Sequence, residues 1–212
     1  MGRRPGPSGA NLVGMQIPLY FDYACPWAFL GSSRVEAYLK DLDVEVDFRP
    51  VDLVALKEPS AGSAPEMGPR KQRNYLNDLR HWCELAGVEI HPDARKLLRS
   101  STRLALKAAL VARDAGRLAA FHHPAYRARW SQGRDLSDRG LVRELLAGAG
   151  LDADAALARA ESDELEARLV AQTQEAIARG VFGVPTAFVG DEMMWGNDRL
   201  ELVRFYAQRA AR

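Results

Sequence analysis

The sequence predicts an α/β chain in which one mixed β-sheet is interrupted by a long helical insertion, and three observations predict it. A strand–helix–strand pattern occupies residues 17–50, helical periodicity without a strand signal runs from Tyr75 to Gly180, and a strand–turn–strand–helix pattern comes after it. A single sheet drawing strands from both ends of the chain accounts for this order with one core instead of two.

Ile17 to Phe21 is a short apolar run rich in strand formers, and Cys25-Pro26-Trp27 leads from it into a helix over Ala28 to Lys40. Phe29, Leu30, Val35, Tyr38 and Leu39 have the spacing of one helix face. Val44, Val46 and Phe48 then alternate with Glu45, Asp47 and Arg49 as in a half-buried strand, which Pro50 ends. The two strands can pair in parallel through a right-handed crossover.

From Lys57 to Pro69 the composition shifts to Gly, Pro, Ser and Ala, which marks a loop or domain boundary. Tyr75, Leu76, Leu79, Trp82, Cys83 and Ala86 form the next helical face, with Gly87 as its stop. Further helices are expected over Thr102–Ala115 and Leu118–Trp130. Ser137 is read as the cap of a helix ending before Gly150, and Ser162 as the cap of one with Leu165, Leu169, Ala176 and Ile177 on a face up to Gly180. Thr186–Val189 and Met193–Trp195 are short strands about the turn Gly190-Asp191, and Asn197 or Asp198 caps a last helix over Arg199–Ala210.

Composition narrows the function. At 212 residues, 47% hydrophobic and 27% charged, the chain has the make-up of a globular protein and not of a disordered or fibrous one. Lys+Arg 29 against Asp+Glu 28 leaves a net charge of +1, without the basic footprint of a nucleic-acid or membrane binder, so a small-molecule substrate is expected. Two cysteines, Cys25 and Cys83, are too few for a disulfide scaffold or a structural zinc site, which fits a reducing cytoplasm. No stretch is long and apolar enough for a membrane span. Residues 1–14 hold no signal-peptide-like apolar run and are expected to be a disordered segment outside the folded domain.

Cys25 stands between a predicted strand and a predicted helix, where unpaired helix N–H groups favour a thiolate and are expected to lower its pKa. The second informative run is Gly180-Val181-Phe182-Gly183-Val184-Pro185-Thr186, in which a proline immediately before a strand suits a cis peptide bond. His81, His91, His122 and His123 have no metal-ligand spacing, so no metal is expected and the histidines are read as surface residues. Cys83 and Trp82 are read as packing residues, while Trp27 and Trp195 flank the two motifs and are candidates for an aromatic substrate pocket.

Cys-Pro-Trp-Ala after the first strand and Gly-Val-Pro-Thr before the third resemble the thioredoxin superfamily, in the branch that contains DsbA-like proteins, kappa-class glutathione transferases and 2-hydroxychromene-2-carboxylate isomerases. The isomerase group is the nearest likeness. It is carried by Phe21 to Gly31, Arg134-Asp135-Leu136-Ser137-Asp138, Gly180 to Phe188, and Trp195-Gly196-Asn197-Asp198-Arg199-Leu200, in order over residues 15 to 205. The resemblance implies a thioredoxin-like domain over 15–60 and 178–212, interrupted by an inserted all-helical domain over 65–177. It places the thiol-facing catalytic position on Cys25, which is serine in the isomerases and kappa transferases and the first cysteine in DsbA-like proteins. It implies glutathione, or another low-molecular-weight thiol, as cofactor. The backbone of Val184, before cis-Pro185, would pair with its cysteinyl part, Asn197 and Asp198 would hold the γ-glutamyl end, and Lys71 would approach the glycyl end. Ser63 and Ser101 take positions where asparagine is common in the family, Ser63 beside the substrate pocket. Ala28 replaces the second cysteine of a Cys-x-x-Cys pair, so this motif supports no internal dithiol cycle.

Three functions are expected on these grounds. The first is a glutathione-dependent isomerase or transferase acting on an aromatic unsaturated acid through thiol addition, bond rotation and elimination. The second is a monothiol disulfide oxidoreductase using Cys25, and the third a degenerate thioredoxin-fold binding protein. The expected partners are a small aromatic substrate and, as a possible assembly, a homodimer.

Overall fold

The computed structural model describes residues 14–56 and 68–210. Residues 1–13, residues 57–67, among them Ser63, and residues 211–212 lie outside the described residues.

Four strands form one sheet in the order β2-β1-β3-β4, with β1 at Met15–Phe21, β2 at Val44–Pro50, β3 at Thr186–Val189 and β4 at Glu192–Trp195. β1 pairs in parallel with β2, in a register that sets Met15 opposite Val44 and Phe21 opposite Pro50. On its other side β1 meets β3 antiparallel, Leu19 opposite Ala187, and β4 folds back on β3. A strand flanked on both edges must be apolar, and Ile17, Leu19, Tyr20 and Phe21 are buried. This confirms the mixed sheet built from both ends of the chain.

The helix α1 (Pro26–Leu39) connects β1 to β2 and packs beside the last helix, α9 (Leu200–Ala210), which lies against β3 and β4. After β2 come the short α2 (Leu53–Leu56), then α3 (Pro69–Ala86), α4 (Arg103–Asp114), α5 (Leu118–Tyr126), α6 (Arg139–Gly148), α7 (Ala153–Ala160) and α8 (Asp163–Ala178). α4 and α8 reach back to β2, so helices and sheet share one hydrophobic core. Among the described residues no helix is long and apolar enough to cross a membrane.

Several local expectations need correction. The cap of α6 is Asp138, whose carboxylate accepts from the Gly140 N–H, and not Ser137. α7, capped by Asp152, and a 3-10 turn at Pro92–Arg99 had no strong sequence signal. The helix expected over Leu118–Trp130 ends at Tyr126 and passes into a π turn over Arg127–Ser131. Pro124 inside α5 withholds one backbone donor, and the wider turn lets the Trp130 indole donate to the Tyr23 carbonyl at 2.9 Å. Ser162 caps α8 as read from the sequence.

The histidines are not all at the surface. His122 is wholly buried among Phe21, Phe48 and Tyr126, with Nδ1 3.4 Å from the Tyr23 hydroxyl. Burial, with the neighbouring His123 charge, holds its pKa well below 6.5, so the folded protein keeps it neutral. The unfolded chain takes up a proton below 6.5 that the folded chain refuses, so stability is lost as pH falls through that range. We expect His122→Phe to make acid unfolding shallower between pH 6.5 and 4, read from urea midpoints across pH; an unchanged acid slope would count against the buried neutral ring.

Candidate active site

The site grows out of the turn between β1 and α1. Pro26 takes the first position of α1, where its missing N–H costs nothing, and Cys25 is the N-cap residue with extended backbone. The Cys25 N–H donates to the Asp22 carbonyl at 3.1 Å, and its own carbonyl accepts from Phe29 N–H, so the turn and the helix begin as one unit. The Cys25 thiol is buried and donates to the Val184 carbonyl at 3.2 Å.

Val184 arrives there because β3 pairs with β1. The Val184–Pro185 peptide is cis, as the motif suggested. Gly31 of α1 makes room for this segment, since a Cβ at that position would lie 3.2 Å from the Pro185 ring. On the far side Gly196, at φ 118, donates its N–H to the Pro185 carbonyl at 2.9 Å and turns the chain into a short 3-10 turn, Asn197–Arg199, that leads into α9. Asn197 and Asp198 are thereby placed ahead of α9 as expected, though within this turn and not as a simple side-chain cap.

Trp27, Val184, Pro185, Trp195, Asn197 and Asp198 line one groove of about 310 Å³, completed by Asp78 and Trp82 of α3 and by Arg199. Cys25 lies beneath its Val184 wall. Asn197 is buried, yet its side-chain N–H₂ has no partner among the described residues, a donor suited to a carboxylate or carbonyl of a bound molecule. Lys71 stands exposed in the first turn of α3 and does not line this groove.

Electrostatics at Cys25 run against the sequence expectation. Burial pushes the thiol from 9.0 up to about 11, the N–H groups of Ala28 and Trp27 pull it back only in part, and the nearby Asp22 pushes it further up. The helix end does offer its donors; desolvation outweighs them. At neutral pH Cys25 is therefore a thiol and a hydrogen-bond donor.

Sequence reading missed Asp22, Asp78, Trp82 and Tyr75 as site residues. Tyr75 of α3 stacks edge-on against Trp27, with ring centroids 5.4 Å apart. Trp82 lies under the Arg34 guanidinium, 4.9 Å from its ring centre, and Asp78 sits one helical turn before it. Asp22 had a signal: a carboxylate directly after a run of buried strand residues must have partners waiting.

A family model for the DSBA-like thioredoxin domain matches residues 16–207. The chain belongs to the DsbA-like thioredoxin family. Within it, this DsbA-like chain is 32% identical over 203 residues to the 2-hydroxychromene-2-carboxylate isomerase of Pseudomonas putida, covering 93% of this chain and 97% of that protein. It is 23% identical over 205 residues to human glutathione S-transferase kappa 1, covering 88% of each chain. A solved 2-hydroxychromene-2-carboxylate isomerase superposes with a TM-score of 0.77 at 27% identity, over 92% of this chain and 95% of that one. The DsbA-like chain is an enzyme of the isomerase or thiol-oxidoreductase type.

A thiol held protonated by burial has a signature in stability. Above pH 9 the unfolded chain ionises Cys25 while the folded chain does not, so stability declines as pH rises from 9 toward 11. Cys25→Ser is expected to make that decline shallower in alkaline urea titrations, whereas an identical slope in both proteins would contradict a buried neutral thiol.

Proposed function

We propose that this enzyme is a glutathione-dependent isomerase or transferase for an aromatic, α,β-unsaturated acid of the 2-hydroxychromene-2-carboxylate kind, with Cys25 as hydrogen-bond donor to the cofactor's sulfur. The observation that carries the reading is the Cys25 thiol itself. It is buried, protonated at neutral pH and already donating, at 3.2 Å, to the carbonyl beside the groove. That is the behaviour of a serine-like donor and not of an activated nucleophile.

The residues fit the cofactor. The backbone of Val184 next to Pro185 offers strand-like pairing to a peptide-like thiol, Asn197 holds an unused buried donor, and Asp198 adds a carboxylate for an ammonium group. When bound, glutathione supplies a sulfur nucleophile that adds to the conjugated double bond, leaving a single bond free to rotate, and departs on elimination. The Cys25 S–H, reorienting from the Val184 carbonyl, donates to that sulfur and favours its thiolate form, much as hydrogen bonds stabilise other anions. Trp27, Trp82 and Trp195 give the groove flat apolar walls for an aromatic substrate. In this reading the sheet ends, over 15–60 and 178–212, hold the thiol, and the helical insertion over 65–177 supplies the α3 wall.

The competing reading, monothiol disulfide exchange at Cys25, draws on the sulfur itself, which sits where the isomerase resemblance carries serine. Cys25→Ser separates the two. We expect the serine variant to keep isomerisation within about tenfold of wild type, because a hydroxyl replaces one donor by another, and both proteins to lose turnover when glutathione is omitted. Turnover without any added thiol, or its abolition in Cys25→Ser, would instead make the protein's own sulfur the nucleophile.

A further inference from the structure

The turn that carries Cys25 is anchored by Asp22 through both its carboxyl group and its backbone carbonyl, beside the Trp130 bond to the Tyr23 carbonyl. Asp22 is buried, and its Oδ1 accepts from Ala24 N–H at 2.8 Å and from the Thr102 hydroxyl at 2.7 Å, while Oδ2 accepts from Leu53 N–H at 2.8 Å. Its backbone carbonyl accepts from the Tyr126 hydroxyl at 3.0 Å. These partners come from the Cys25 turn, from the start of α2, from the residue before α4 and from α5. One residue therefore joins the end of β1 to three parts of the helical region. The Asp22 carboxyl stands raised from 3.8, because burial outweighs the Ala24, Thr102 and Leu53 donors that pull it down, and Asp52 adds to the rise. All three contacts to the carboxyl oxygens are donors, which suits an ionised carboxylate, whereas a protonated one would carry an O–H with no acceptor among these partners.

Asp22 is also the carboxylate whose charge is felt at Cys25. The other ionisable groups facing this pair are Asp52 before α2, Tyr23 in the turn, Tyr126 from α5, Tyr75 from α3 and Arg129 in the π turn. The three phenols stay neutral through the working range, because burial raises each of them. Arg129 is drawn toward a carbonyl, donating to Leu97 at 2.7 Å, and makes no ion pair with Asp22. Asp22 thus brings a carboxylate, met by three hydrogen-bond donors and sensed by the buried Arg129, close enough to a buried sulfur for its charge to act there.

Resting on the function proposed above, we propose that Asp22 is a positioning residue that keeps Cys25 in its donor role and so selects the bound thiol, and not the protein's own sulfur, as the nucleophile. A second negative charge at Cys25 would have to form beside the first in a site stripped of water. The same group that fixes where the sulfur sits also discourages its ionisation. Removing the charge should move the chemistry toward disulfide exchange, in which the Cys25 thiolate attacks a disulfide sulfur, forms a mixed disulfide and releases the other half as a thiolate.

The test uses the full chain in a Cys83→Ser background, so that Cys25 is the only thiol, and compares Asp22→Asn with Thr102→Val. The first removes the charge at nearly constant volume; the second breaks one anchor of the same turn and leaves the charge in place. Iodoacetamide alkylation across pH 7 to 11.5 and reaction with a small aromatic disulfide at pH 7.5 are measured for each. For Asp22→Asn we expect the alkylation inflection to fall by about one pH unit, and disulfide reaction to quicken about threefold, tenfold more thiolate being offset by its lower nucleophilicity. Thr102→Val is expected to keep the wild-type inflection. Equal shifts in both variants would mean that loosening the turn, and not the charge, governs the sulfur. No shift in Asp22→Asn would leave Asp22 a structural anchor only. Either result overturns the proposal. If Asp22→Asn does not fold, Asp22→Ser removes the same charge and leaves room for water to meet the Leu53 and Thr102 donors, with the same expectation. These readouts need no substrate: a parent inflection at or below 8.5 would sink the donor reading of Cys25 and this inference together, whereas a high parent inflection unmoved by the variants would sink Asp22's role alone.

Discussion

The hydrogen bond from the Cys25 thiol to the Val184 carbonyl spans 159 positions of sequence, and the rest of the molecule is arranged so that it can form. It requires the first strand to lie beside a strand made nearly at the other end of the chain, which the pairing of β1 with β3 supplies. It requires α1 to follow β1 across one tight turn, which Pro26 at the first helical position and the Cys25 N–H bond to the Asp22 carbonyl supply. It also requires the segment before β3 to come close to α1, which the absence of a side chain at Gly31 allows. The turn after Gly196 then shapes the groove beside that bond, delivering Asn197 and Asp198 to its rim.

Two general tendencies meet at that sulfur with opposite signs. A helix N-terminus stabilises an anion by about 0.3 to 1 kcal/mol at an exposed site, whereas one pH unit of pKa is worth about 1.4 kcal/mol. Removing a thiolate from water can exceed the first term several times over, and the rise from 9.0 to about 11 has the sign of desolvation. Elements between β2 and β3 close against the same turn: Tyr126 ends α5 and bonds the Asp22 carbonyl, and Trp130 from the π turn bonds the Tyr23 carbonyl. The helical region is therefore part of the setting of the sheet's thiol. Burial withholds water from a position that an open helix end would have activated.

Elements with strong local causes were legible in the sequence. β1 and β2 show alternation or an apolar run, Ser162 announces α8, Gly87 ends α3, and the proline before β3 is cis as its position suggested. Elements whose shape depends on distant partners were not. The π turn at Arg127–Ser131 brings Trp130 onto the Tyr23 carbonyl, a contact no neighbouring residue encodes. His122 reads as one half of an exposed pair, yet it is the ring that Phe21 and Phe48 enclose while His123 reaches out to Glu36 at 3.0 Å. Trp82 and Asp78 look like any residues one turn apart on an amphipathic helix until α3 is laid along the groove.

From the sequence alone came the fold class, because hydrophobic periodicity and turn chemistry are local and survive in one dimension, while the facing backbone at Val184 came only as what the family resemblance implies. The protonation state of the Cys25 thiol came only from the tertiary structure. Whether Cys25 is a thiolate depends on how much water reaches it and on which charge stands beside it, and both are set by groups distant in sequence: the Thr102 hydroxyl and the Leu53 N–H that hold Asp22, and Tyr126, which bonds the turn. Desolvation is a sum over everything packed around a group, and a sequence shows the group without its surroundings.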